Sequence, residues 1–132
     1  MSLENILSVT GKPGLYILKS KARNGFVVES LLDKKTSIIG INQNVSVLKD
    51  ISIYTYATEV PLKDIFQKIA TKESNGPAIS HKAAATELSS YFTEVLPDYD
   101  QERVYASDIK KVLQWYNLLQ ENELLNATDE EE

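Results

Sequence analysis

The 132-residue chain contains no cysteine, which excludes disulfides, thiolate nucleophiles, iron–sulfur clusters and every cysteine-based zinc site. It has a single histidine, His81, and a single tryptophan, Trp115. No run approaches the roughly 20 apolar residues that cross a bilayer as a helix. The opening Met1-Ser2-Leu3-Glu4-Asn5-Ile6-Leu7 has neither a basic leader nor a long apolar stretch, so it does not read as a secretory signal. These absences predict a cytoplasmic protein with no membrane partner. The motifs G-x-x-x-x-G-K-[ST] and G-x-S-x-G are missing as well, leaving no phosphate cradle and no nucleophile elbow to read.

What is present is ordinary globular composition, 42% hydrophobic and 25% charged, enough for one shared core. The net charge of −5 is unevenly placed. Residues 1–58 carry seven Lys/Arg against four Asp/Glu, and residues 59–132 carry seven against fifteen. Part of that excess is Asp129-Glu130-Glu131-Glu132, which reads as a solvated, disordered acidic tail over 126–132.

Hydrophobic periodicity divides the chain near Thr58. Leu3, Ile6, Leu7 and Val9 form either a helical turn or a first strand, stopped at Gly11-Lys12-Pro13-Gly14. A run from Leu15 to Leu18 and a return run from Phe26 to Leu31 flank Asn24-Gly25, the strongest short hairpin signal. Thr36 to Ile41 follows as a third strand after a turn at Asp33-Lys34-Lys35. Ile51 to Tyr56 reads as a fourth, with Ile51, Ile53 and Thr55 on one face and Ser52, Tyr54 and Tyr56 on the other.

Beyond Thr58 the period becomes helical. Pro61 suits a first helical position before Leu62, Ile65, Phe66 and Ile69, and Gly76-Pro77 closes that element. A second helix is predicted from about Lys82, with Leu88, Tyr91, Phe92 and Val95 on its stripe, ending before Pro97. A third is capped by Ser107, with Asp108 in its first turn. Its apolar face is Ile109, Val112, Leu113, Tyr116 and Leu119 or Gln120, opposite Lys110, Lys111, Gln114 and Asn117. The fold class expected is α+β: a small antiparallel sheet or SH3-like barrel over 1–58, then a three-helix part over 59–125 packed against it.

The search for chemistry is mostly negative. His81 lies in a polar segment leading into the second helix, with no neighbours that make a site, and reads as a solvent-exposed surface histidine. Asp98, Asp100 and Glu102 have the spacing that begins a calcium loop, but Arg103 stands where glycine is needed and Ile109 where a bidentate Glu belongs. An acidic inter-helix turn is the better reading. Gly11-Lys12-Pro13-Gly14 matches the G-x-x-G of KH loops, yet it leads into a strand rather than joining two helices, so a structural turn is expected. No catalytic, cofactor or metal residue is assigned.

Two surface features remain. Lys19, Lys21 and Arg23 on the hairpin, joined by Lys34 and Lys35 from the next turn, form a candidate phosphate-attracting face with Tyr54 and Tyr56 as base-stacking rings. Trp115 sits off the centre of the third helix's apolar stripe, as either a widened core face or an anchor for a protein partner.

Three stretches, Ile6 to Tyr16, Leu48 to Thr55, and Glu94 to Asp100 continuing through Arg103-Val104-Tyr105, Ser107 to Lys111 and Trp115-Tyr116-Asn117, resemble a family of short Bacteroidota proteins known as a domain of unknown function. The resemblance covers nearly all of the chain except the acidic tail. It implies a bacterial cytoplasmic origin and a two-part organisation, and carries no active-site residue. The function expected is a non-enzymatic protein-interaction module, the alternative being nucleic-acid binding through the basic hairpin. A third reading is a site assembled from scattered Asp, Glu and Tyr side chains.

Overall fold

The computed structural model describes residues 3–12, 14–40, 42–122 and 124; the predicted acidic tail lies outside them. Both readings of the opening segment are realised in succession. A 3-10 turn at Leu3–Asn5 runs into strand β1 (Ile6–Val9), followed by β2 (Tyr16–Ala22), β3 (Gly25–Ser30), β4 (Thr36–Gly40) and β5 (Val45–Val47). These form an antiparallel sheet of order β4-β3-β2-β1-β5.

The two edges of that sheet are consecutive in the chain, and this dictates its shape. A flat five-stranded sheet is about 19 Å from edge to edge at 4.8 Å per strand. Gly40 and Val45 are five residues apart, which spans at most about 18 Å fully extended. The connection also spends residues on a turn, closed by the Gln43 N–H on the Gly40 carbonyl at 3.1 Å. The sheet therefore curls. Its concave side encloses Leu7, Val9, Tyr16, Val28 and Ile39, all buried, with Leu18, Phe26, Val45 and Val47 packed around them. No pairing joins β4 to β5 among the described residues, so the curl stops short of a closed barrel.

Ile51 to Tyr56 keeps the faces its alternation predicts, Ile53 and Thr55 buried against exposed Tyr54 and Tyr56, but it does not join this sheet. A second 3-10 turn at Leu48–Asp50 redirects the chain. Strand β6 (Ser52–Tyr54) then pairs with β7 (Glu59–Pro61) as a separate ribbon. Pro61 is consequently the last strand residue, with extended φ/ψ of −62° and 148°, and caps the first helix instead of starting it. The ribbon straddles the junction near Thr58.

Helices α1 (Leu62–Lys72), α2 (Ala85–Val95) and α3 (Ala106–Glu121) follow. Leu62, Ile65, Phe66 and Ile69 of α1, and Leu88, Tyr91, Phe92 and Val95 of α2, are the buried positions, as the helical period requires. Helix α1 ends at Lys72, ahead of Gly76, because Ser74 and Asn75 turn left-handed at φ 54° and 66°, and a left-handed residue cannot continue the ladder. Helix α2 starts at Ala85 rather than Lys82. Ser107 does not cap α3. Tyr105 occupies that position, its N–H donating to the Asp108 carboxylate at 3.0 Å, which places Ser107 within the first turn, where a hydroxyl has no cap to make.

The main core lies between the convex side of the sheet and the helices. Leu3, Ile6, Leu15, Leu31 and Leu48 contribute from the N-terminal half, and the apolar stripes of all three helices from the other. Asn117, on the nominally polar side of α3, ties down the α1–α2 connection. Its carboxamide accepts the Ala78 N–H at 2.8 Å and donates to the Ile79 carbonyl at 3.2 Å. The Tyr116 hydroxyl donates to the Gly76 carbonyl at 2.7 Å beside it.

Candidate functional site

The five basic residues singled out from the sequence do not form one patch. Lys19 stands at an irregularity where the β2–β3 register shifts between Leu18 and Ser20, and its ammonium pairs with Glu29 at 3.4 Å. Lys21 and Arg23 are exposed near the hairpin tip. Lys34 and Lys35 are exposed in the β3–β4 turn, beyond Ser30, which is paired with Tyr16. That turn lies at the other end of β3 from the tip, about 17 Å away at 3.4 Å per residue. Antiparallel connectivity alone separates successive turns to opposite ends of a sheet.

Tyr54 and Tyr56 are exposed, 42% and 65%, but neither ring joins the hairpin. The Arg103 guanidinium lies over the Tyr54 ring, 5.2 Å from its centroid. The Tyr56 hydroxyl accepts the Gln101 N–H at 3.3 Å. Trp115 is 8% exposed and belongs to the main core, which favours the core reading for most of the indole. Helix α3 is gripped on two sides, and the stripe widens to take in Trp115 and Leu118.

His81 is half-buried in the α1–α2 connection rather than a fully exposed surface residue, in the segment that leads into α2. Asp100 is buried and makes a turn. Its carboxylate accepts the Glu102 N–H at 3.0 Å and faces the Arg103 guanidinium at 3.5 Å, which commits the oxygens a calcium loop would use. Gly11 and Gly14 both take left-handed φ, +85° and +75°, the conformation of a structural turn.

A cluster on the helical side gathers Glu and Tyr side chains. The Tyr91 hydroxyl donates a short hydrogen bond to the Glu73 carboxylate. Lys72 pairs with Glu94 at 2.9 Å and lies over the Tyr91 ring. Burial, then the hydrogen bond and charge of Glu73, push the Tyr91 phenol well above its ordinary 10.0. That direction makes it a poorer proton donor and a rarer phenolate at neutral pH, the opposite of an activated base.

It has a consequence for stability. The folded phenol keeps its proton above pH 10, where the unfolded chain releases it, so the contribution is complete below that pH and is lost as pH rises further. The chain should lose stability progressively as pH rises above about 10, and Tyr91→Phe should flatten that decline. Denaturation midpoints across the range, wild type against variant, check it.

A further arrangement lies elsewhere. A groove of about 530 Å³ opens between the end of β1 with the turn after it, β6, and the first half of α3. Half-buried Ile51 and exposed Tyr54 give it apolar surface, and Val9, Ile53, Val104, Val112 and Trp115 line it as buried residues. Lys12 enters from the β1–β2 turn, Arg103 from the loop before α3, and Lys111 from α3 itself. The acidic side chain among the lining residues, Asp108, already accepts the Tyr105 N–H. Sequence reasoning placed Lys111 on a polar helix face and Arg103 in an acidic loop. Nothing in their spacing signals that segments roughly ninety residues apart converge.

Two family models match the chain, each described as a domain of unknown function: DUF5606 over residues 3–48 and DUF6852 over residues 51–119. They meet just before β6, so the groove is built from both. No curated protein matches the chain. A solution NMR structure of a protein from Bacteroides vulgatus, a structural-genomics target, is similar over 92% of this chain and 88% of that one, with 45% sequence identity and a TM-score of 0.77. On a family match spanning more than half of its length and a solved relative of the same fold, the chain belongs to the family of the domain of unknown function DUF6852, preceded by the DUF5606 portion.

Proposed function

We propose that the protein is a cytoplasmic, non-enzymatic interaction module, an SH3-like curled sheet and a three-helix part whose shared groove receives a protein partner. The observation that carries this reading is the groove itself. It combines apolar, aromatic and basic lining residues in a volume of about 530 Å³, the mixture from which recognition sites are made. Nucleic-acid binding through the hairpin is the weaker reading, because Lys19 is paired with Glu29, the remaining hairpin cations are few, and the chain as a whole is acidic.

Thr10 is exposed and lines the groove, so Thr10→Trp places an indole at its mouth without touching the core. The expected outcome is that proteins retained by the wild type on an affinity matrix are lost from the variant at an unchanged denaturation midpoint. Equal retention by both would remove the groove from the proposal.

A further inference from the structure

Lys12 and Lys111 come from different halves of the chain and line the same groove. Both are exposed, and neither has an ion-pair partner among the described residues. Arg103, the third cation, is held by Asp100 at 3.5 Å and by the Tyr54 ring. In a protein of net charge −5, with Arg103 offset by Asp100, the two lysines against the lining carboxylate of Asp108, itself engaged by the Tyr105 N–H, make a local field opposite in sign to the whole. Such a field acts on a short ligand within about 8 to 10 Å. A long polyanion also meets the acidic remainder of the surface.

We infer that the groove takes a short acidic peptide segment carrying one apolar side chain. The apolar group seats against Ile51, the Tyr54 ring and the edge of Trp115, and flanking carboxylates meet Lys12 and Lys111. This rests on the interaction-module reading and names the chemistry of its partner. Charge complementarity selects the acidic segment, and the apolar surface of Ile51 and Tyr54 selects a peptide over inorganic phosphate or a nucleic-acid backbone, neither of which offers a side chain to bury.

Trp115 is the sole tryptophan and lines the groove, so its emission in the full chain reports occupancy directly. The probes are the capped pentapeptides Glu-Glu-Leu-Glu-Glu, Gln-Gln-Leu-Gln-Gln and Lys-Lys-Leu-Lys-Lys. The acidic peptide is expected to shift Trp115 emission, to bind about tenfold more tightly than the neutral one and to weaken as salt rises. The double variant Lys12→Glu/Lys111→Glu should lose about tenfold in affinity for it, and Lys12→Gln/Lys111→Gln less, both folding normally because the two side chains are exposed. Equal binding of the acidic and neutral peptides, or no response to charge reversal, overturns the inference. So does silence from all three peptides. If Thr10→Trp still loses its partners in any of these cases, the module reading stands and only the acidic chemistry fails; if Thr10→Trp changes nothing, the groove itself has failed.

Discussion

Trp115→Ala is expected to lower the unfolding free energy by about 4 kcal/mol, the cost of removing a large aromatic side chain from a packed interior. The indole is 8% exposed and sits in the cluster that joins the sheet to the helices. Truncation withdraws its buried apolar surface and leaves a void that neighbours on rigid elements fill only in part. Against a total of about 5 to 15 kcal/mol for a domain of this kind, the loss is severe. Urea denaturation followed by far-ultraviolet circular dichroism measures it, since the variant has no tryptophan left to report. Trp115→Phe, which keeps most of the packing, should cost markedly less. A cost below about 1 kcal/mol for the alanine variant would mean that the residue is a surface group after all.

Gly25→Ala comes next, with an expected cost of about 3 kcal/mol. The hairpin foreseen from Asn24-Gly25 forms, but for a different reason. In the two-residue turn that this dipeptide favours, both residues take left-handed φ. Among the described residues the left-handed positions are Gly11, Gly14, Lys34, Ser74 and Asn75, so neither Asn24 nor Gly25 is one. Ala22 pairs with Gly25, which makes Arg23 and Asn24 the loop. Gly25 is needed because β4 passes close by: a Cβ there would lie 2.0 Å from the Ile39 carbonyl oxygen and 2.9 Å from its carbon. Both atoms are backbone, and they retreat only if β3 and β4 separate. Asn24→Ala is the control. It should cost less than about 0.5 kcal/mol, whereas a left-handed Asn24 would make both substitutions expensive.

How much of this was legible beforehand depends on the range of the interaction involved. The stripes Leu62, Ile65, Phe66, Ile69 and Leu88, Tyr91, Phe92, Val95 were readable because a helix repeats every 3.6 residues and buries one side. The alternation at Ile51 to Tyr56 was readable because strand side chains alternate. The short β5 was not foreseen, three residues being too few for any period to show. The α3 cap was misassigned to Ser107 because caps depend on which residue first turns helical, and the reach of Asp108 back to the Tyr105 N–H moved that point two residues earlier.

The composition and local patterning of the chain were enough to settle its class, an antiparallel sheet followed by three helices, and to remove cysteine chemistry, because those follow from residue types and near-neighbour spacing. Tertiary structure alone decided that the sheet curls, that β6 leaves it to pair with β7, that Lys34 and Lys35 lie away from Arg23, and that Trp115 packs inside. It alone brought Lys12, Arg103 and Lys111 to one groove. Each of these depends on contacts between residues far apart in sequence, where packing and strand direction act and no local period leaves a trace.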